Sequence, residues 1–359
     1  MILQRYILRE LLAAFLMVFL TISLIIFIGF GIQQYRRMEG LGFFFLLRSA
    51  PFLFCYAVRY SLPAGTLMAS VLVFGRLSAE NEITAIRAGG VPLWRIVHPA
   101  LALGLTLSAL FLLFNNHVAP EAIHRQRTLA QQGLLGTLRN PPPVGTSLTF
   151  ANCRLLYTRY RNGAFEEFSI TRNERDGTVE TVWAREALFR AEEGLPPRFI
   201  LQHVNWLVAK PDLAPHNWPV GQALAYEYPL DIEPLLQRPR KPFEMSATQL
   251  NDLLEAWGPA GDAGRRDAVR AELHQRMAWA MGPVVLILVG APIGILLRKG
   301  SRLAGFGASL PGGTAYFVLA TFGHVLATRL ALDPLAVIWF ADALFLAVAV
   351  ALLWRVYRI

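Results

Sequence analysis

The residues of this chain best placed to do chemistry are charges set in or beside long apolar stretches. Arg59 and Asp342 fall within such stretches, and Arg36, Arg37 and Arg48 gather between two of them. A guanidinium suits an anionic group such as a phosphate, and an ionisable side chain in hydrocarbon is costly enough to suggest a function. Two readings of Arg59 stand side by side. It serves such a function, or it snorkels to the headgroups or pairs with a buried acid such as Asp342. Catalysis has little to work with. The seven His are scattered, with no H-x-x-x-H or H-E-x-x-H spacing. Cys55 and Cys153 lie in an apolar stretch and in a polar insert, which predicts neither a disulfide nor a thiolate metal site. No G-x-x-x-x-G-K-[ST] loop occurs, so ATP-driven work would need a separate subunit. The chain reads as non-enzymatic, with no cofactor and no metal.

The elements that hold these residues are mostly membrane helices. Hydrophobic residues make up 54% of the chain and charged residues only 16%, a shortfall of charge expected of a membrane protein. Apolar stretches run over about 11–32, 50–74, 93–114, 277–297, 306–327 and 335–354. Each suffices to cross a hydrocarbon core of about 30 Å at about 1.5 Å per residue. The first lacks a small-residue cleavage site after it and reads as a retained helix. The expected fold is a polytopic α-helical membrane protein with six transmembrane helices, three before and three after an inserted β domain. The expected boundaries are 1–120, 121–270 and 271–359.

Charge gives an orientation. Residues 121–270 hold 18 Lys/Arg and 18 Asp/Glu, so the net +9 belongs entirely to the membrane part. Placing the N-terminus inside puts ten basic residues in cytoplasmic segments: Arg5, Arg9, Arg76, Arg87, Arg95, Arg298, Lys299, Arg302, Arg355 and Arg358. The short outside loops hold four, Arg36, Arg37, Arg48 and Arg329. The excess supports cytoplasmic termini and an external insert. Contact with an anionic cargo is the sharper reading of the same charge. The basic residues form no stripe on the insert, which argues against nucleic acid.

The insert opens with a helix-like stretch over 121–135. Alternating segments follow at 147–151, 154–160, 165–171, 179–185, 198–208 and 223–228. Asn162-Gly163, Asp176-Gly177 and Glu193-Gly194 separate several of them, and the first two are hairpin signals. This pattern predicts an antiparallel β domain, a sandwich or jelly roll. No acid pair, Ser/His combination or metal cluster stands out in it, so binding or conduction suits it better than catalysis. Helical patterns at 245–257 and 268–276 lead back to the membrane.

Between the second and third stretches lies Leu77-Ser78-Ala79-Glu80-Asn81-Glu82-Ile83-Thr84-Ala85-Ile86-Arg87-Ala88-Gly89-Gly90. Ser78 can cap a short helix. Glu80 and Glu82 suit its first turn, Arg87 its last, and Gly89 its end. Ala79, Ile83 and Ile86 share one face. The segment is either a surface-lying connector or a docking helix for a soluble partner.

With these features the chain resembles the LptF/LptG permeases of the lipopolysaccharide export ABC transporter, over nearly its whole length. The likeness rests on Arg5-Tyr6-Ile7-Leu8-Arg9-Glu10, on Leu62-Pro63 and on the 77–90 segment. It continues with Arg270-Ala271-Glu272-Leu273-His274-Gln275-Arg276 and Ala291-Pro292. The resemblance implies an inner-membrane, multi-pass subunit paired with a second homologous six-helix permease around a cavity open to lipid. It implies a cytoplasmic ABC ATPase dimer gripping the short helix, with the coupling Glu at Glu82 and neighbours Glu80, Ile83, Ile86 and Arg87. It implies a periplasmic β-jellyroll passing lipopolysaccharide to jellyroll bridge proteins. Arg36, Arg37 and Arg59 are then candidates for lipid phosphate, and Phe52, Phe54 and Tyr56 for the cavity wall. The family's basic positions near the outer end of the first span fall on Phe30 and Gln33 here, and Arg36 and Arg37 lie about one turn further out.

Other readings differ in what they require. A secondary transporter calls for midplane acids, broken helices and an internal repeat, yet Asp342 is the one clear acid in the spans. A membrane enzyme calls for a nucleophile–base or metal constellation. A scaffold needs only the β domain to bind a partner.

Overall fold

The computed structural model describes residues 2–37, 42–141, 147–150, 153–174, 176–190, 197–230, 240–258, 263–297, 302–330 and 332–358. The chain divides into two compact units. One comprises Met1–Ile28, Phe52–His124 and Arg240–Ile359, the other Gly29–Pro51 and Arg125–Pro239.

The first unit is helical. Its long elements are α1 (Ile2–Arg37) and α2 (Gly42–Ala79), apart from their residues 29–37 and 42–51, with α4 (Leu93–Leu113), α7 (Ala263–Leu296), α8 (Arg302–Arg329) and α9 (Pro334–Arg358). Two short helices join them, α3 (Glu82–Ala88) and α6 (Ala247–Trp257). Among the described residues six helices are long and apolar enough to cross a membrane. On α1, Leu8, Leu12, Leu16, Leu20, Leu24 and Ile28 recur every fourth position and stay exposed, while Ile7, Leu11 and Phe15 turn into the core. An apolar stripe of that length left open is suited to lipid or to other helices.

Close packing joins α2 to α7. A Cβ on Gly290 would press on the Leu67 carbonyl and Ser70, and one on Gly294 on the Val71 carbonyl and the Gly75 nitrogen. Small residues four apart let two backbones touch. Hydroxyls fasten the same seam: Ser70 donates to the Ile287 carbonyl and Ser78 to the Ile295 carbonyl, both at 2.8 Å. Partner numbers rise together on the two helices, so α2 and α7 run in the same direction. Gly104 lets α4 close on Val284 and Ile287, and Gly323 lets α8 close on α9 at Val337.

The second unit contains an antiparallel sheet. Its strands are β1 (Leu148–Phe150), β2 (Cys153–Leu156), β3 (Arg159–Arg161), β4 (Ala164–Asn173), β5 (Val179–Arg190), β6 (Arg198–Ala209) and β7 (Val220–Pro229). They lie in the order β1-β2-β4-β5-β6-β7, with β3 also paired to β4. Phe165, Phe168, Ile170, Phe199, Leu201 and Val204 form its core with Leu138, from the end of α5 (Ala119–Arg139). Asn162 and Gly163 both take positive φ, 53° and 82°, as the two-residue hairpin between β3 and β4 requires. A row of missing pairs crosses the sheet at Glu167, Arg185, His203 and Leu224. Glu167 and His203 sit at positive φ, 49° and 54°, so the ladder creases along this row.

Several expectations change in detail. The strand expected over 154–160 is split into β2 and β3. The two halves pair with β4 on opposite sides of the crease at Glu167, and Thr158 between them donates to the Glu167 carboxylate. The third expected span and the helix expected over 121–135 form one run, joined by a π turn at Phe114–Val118. The helix expected at 268–276 is the first part of α7. Ser78 caps nothing: it belongs to the last turn of α2, and its hydroxyl is spent on α7. Asn81, at φ 58°, precedes α3 instead, without a side-chain cap. Glu193-Gly194 lies outside the described residues, as do Arg298 and Lys299.

Candidate functional site

Helix α3 is only seven residues long, too short to persist alone, and its anchor is Ile83, buried in the core of the first unit. Ile86 packs partly against the same core, and Ala79 is exposed. Ile83 therefore fixes the helix, while Glu80, Thr84 and Ala85 face outward and Glu82 and Arg87 are half-buried. Arg76, at the end of α2, gathers the nearby charges. Its Nη2 lies 3.1 Å from Glu10 Oε2 of α1, and its Nη1 lies 3.7 Å from Glu80 Oε2. Nη2 also donates to the Tyr6 hydroxyl at 3.2 Å, and Tyr6 donates to Glu82 at 3.2–3.3 Å. Of this group, sequence reasoning found Glu80 and Glu82. The Arg76–Glu80 spacing of four was a readable signal, whereas Tyr6 and Glu10 lie too far along the chain to leave one.

On α2, Phe52, Tyr56 and Arg59 share a face at spacings of four and three, while Phe54 turns toward α1 and meets Phe27 edge-on at 6.4 Å. The Arg59 guanidinium sits 4.6 Å from the Trp279 ring centroid, a cation–π contact, and its buried Nε has no hydrogen-bond partner. Asp342 is not its partner. That carboxylate accepts from the buried Tyr316 hydroxyl at 2.9 Å, which supplies the hydrogen bond a buried acid needs. One turn before Trp279, Arg276 and Glu272 form a buried pair at 2.9 Å, with side chains 3% and 8% exposed. Arg276 also donates to the Pro242 carbonyl at 3.1 Å. Sequence reasoning quoted both residues but missed their pairing, although they stand four apart. Arg36 and Arg37 close α1, and their side chains lie outside the described residues.

Among the described residues no group of three or more His, Cys, Asp or Glu is placed to hold a metal ion. In the sheet unit, hydrogen bonds from the Thr178 backbone and hydroxyl hold the Asp176 carboxyl below its ordinary range. Burial pushes the Tyr228 phenol well above its own range, and Arg172 lies over its ring at 5.5 Å. Both are features of a hairpin and a core, and neither forms a reactive centre.

The arrangement offers long lipid-compatible helices, a β-sheet unit, a short helix anchored by Ile83 with the Glu82 carboxylate on it, and a guanidinium within a long apolar helix. Comparison with known proteins agrees. The family described as lipopolysaccharide export system permease LptF/LptG matches residues 5–355. No curated protein matches. A match over nearly the whole length, on a chain whose described residues include six helices long and apolar enough to cross a membrane, makes this an inner-membrane, multi-pass transport subunit that belongs to the LptF/LptG permease family of lipopolysaccharide export.

Proposed function

We propose that the chain is the non-hydrolysing permease half of an ATP-driven exporter that lifts lipopolysaccharide, or a related anionic glycolipid, out of the inner membrane. Its helices are arranged as three spans (residues 1–120), a periplasmic jellyroll-like insert (121–270) and three spans (271–359), with both termini cytoplasmic. The parallel course of α2 and α7 supports this order. With one span between them, the insert leaves and re-enters on a single face. A second homologous six-helix permease covers the exposed stripe of α1. A cytoplasmic ABC ATPase dimer grips α3, and the β domain hands lipid to periplasmic jellyroll bridge proteins. Arg36, Arg37 and Arg59 meet lipid phosphate, with Phe52, Phe54 and Tyr56 along the acyl chains. A secondary-transport reading would rest on Asp342, which Tyr316 already occupies.

The observation that carries this reading is α3 itself. Its buried Ile83 holds a short helix at the joint of two long apolar ones and leaves Glu82 within reach of a partner. Glu82→Ala is expected to cut lipid released per ATP by about tenfold, within the usual range of coupling between sites, without preventing membrane insertion. Proteoliposomes of the assembled complex measure this, and normal export by the variant removes the docking role. Photoactivatable lipopolysaccharide in the same vesicles should label wild-type protein and lose most of its yield in Arg59→Gln.

A further inference from the structure

We infer that Tyr6 and Arg76 are positioning residues for Glu82, through which a force on α3 is delivered to α1. The inference rests on the docking role proposed above. Three elements meet here: α1 supplies Tyr6 and Glu10, the end of α2 supplies Arg76, and α3 supplies Glu82.

The direction of the hydrogen bonds is fixed by chemistry. Arg76 can only donate and an ionised Glu82 can only accept, so the Tyr6 hydroxyl takes the Arg76 N–H and gives its own proton to Glu82. Tyr6 is therefore a neutral spacer between a cation and an anion. Glu10 and Glu80 engage the charge of Arg76 directly, so Glu82 is oriented without being neutralised. A carboxylate held in this way meets a hydroxyl and not a cation, which leaves it open to a basic partner. Had Arg76 paired with Glu82 directly, the partner would have to displace it.

The same contacts do little for stability. Arg76, Glu10 and Glu80 are 26%, 39% and 49% exposed, and exposed ion pairs are worth little. The core holds α3 through Ile83, whereas the Glu82 carboxylate is met by the Tyr6 hydroxyl. Removing the Tyr6 hydroxyl therefore separates positioning from folding. It also cuts the hydrogen-bonded connection from Glu82 to α1, the helix with the long exposed stripe.

The test uses the full chain in its assembled complex in lipopolysaccharide-containing proteoliposomes, with Tyr6→Phe, Glu82→Ala and the double variant. ATP hydrolysed per lipid released is the readout, and the thermal midpoint and complex assembly are followed as controls. Tyr6→Phe should raise the ratio about threefold, the low end for one lost hydrogen bond, as suits an exposed site, at unchanged midpoint and assembly. Added to Glu82→Ala, it should change nothing further. Spin labels at Leu8→Cys and Thr84→Cys should show a broader α1–α3 distance distribution in Tyr6→Phe. A wild-type ratio in Tyr6→Phe, or an additive effect in the double variant, overturns the inference and leaves the docking role standing. A wild-type ratio in Glu82→Ala removes the docking role, and the inference with it.

Discussion

At the scale of single residues, the buried Glu272–Arg276 pair is where a substitution should cost most. Two charges in a nearly water-free setting are tolerable only together, and Arg276 also holds the Pro242 carbonyl at the approach to α6. Glu272→Ala leaves the guanidinium uncompensated and should lower stability by about 3–5 kcal/mol in denaturant unfolding in detergent micelles. Replacing both residues, as in Glu272→Leu with Arg276→Met, should recover most of that loss. A small loss in the single variant and a large one in the double would show that the Pro242 bond, not the charge balance, is what matters. Arg59 illustrates a different solution. Its charge rests on the face of Trp279, a contact that leaves the guanidinium its hydrogen-bonding capacity.

At the scale of elements, the α2–α7 seam decides what can be altered. Gly294→Leu drives a side chain into the Val71 carbonyl and should cost about 1–3 kcal/mol in thermal or denaturant unfolding. Gly31→Leu, in open space on α1, should leave unfolding unchanged. Six spans were legible in the sequence because hydropathy over a bilayer's width is a strong signal. Their ends were not, since α1 and α2 run on past the apolar core through residues that pattern alone cannot assign. The insert's strands were legible by alternation and its first turn by Asn162-Gly163. The break between β2 and β3 was not, because it follows a crease set by cross-strand geometry at Glu167 and His203. Around α3, the sequence pattern was enough to expect a short helix, and Glu82 and Ile83 lie on it. That Ile83 points inward, and that Tyr6 reaches Glu82, depends on contacts between helices far apart in sequence.

At the scale of the whole molecule, the long exposed stripes matter most. Leu8 to Ile28 on α1 and Val318, Phe322 and Val325 on α8 remain open in the isolated chain. Apolar surface of that extent is satisfied by lipid or by neighbouring helices. A tagged chain drawn from membranes in mild detergent should carry with it a second six-span permease and an ATP-binding protein. Recovery of a bare monomer at every detergent concentration would set the exporter reading aside. The neutral insert and the +9 carried elsewhere fit a chain whose electrostatic business is with the membrane and its anionic lipid.

Where backbone rests on backbone, helices cannot glide past each other without climbing over carbonyls. Pinned by two serine hydroxyls and closed by Gly290 and Gly294, α2 and α7 should tilt as a single strut. Any stroke applied at Glu82 then has no slack to take up along that strut. Its compliance must be found instead in α1, which leaves one flank open along most of its length.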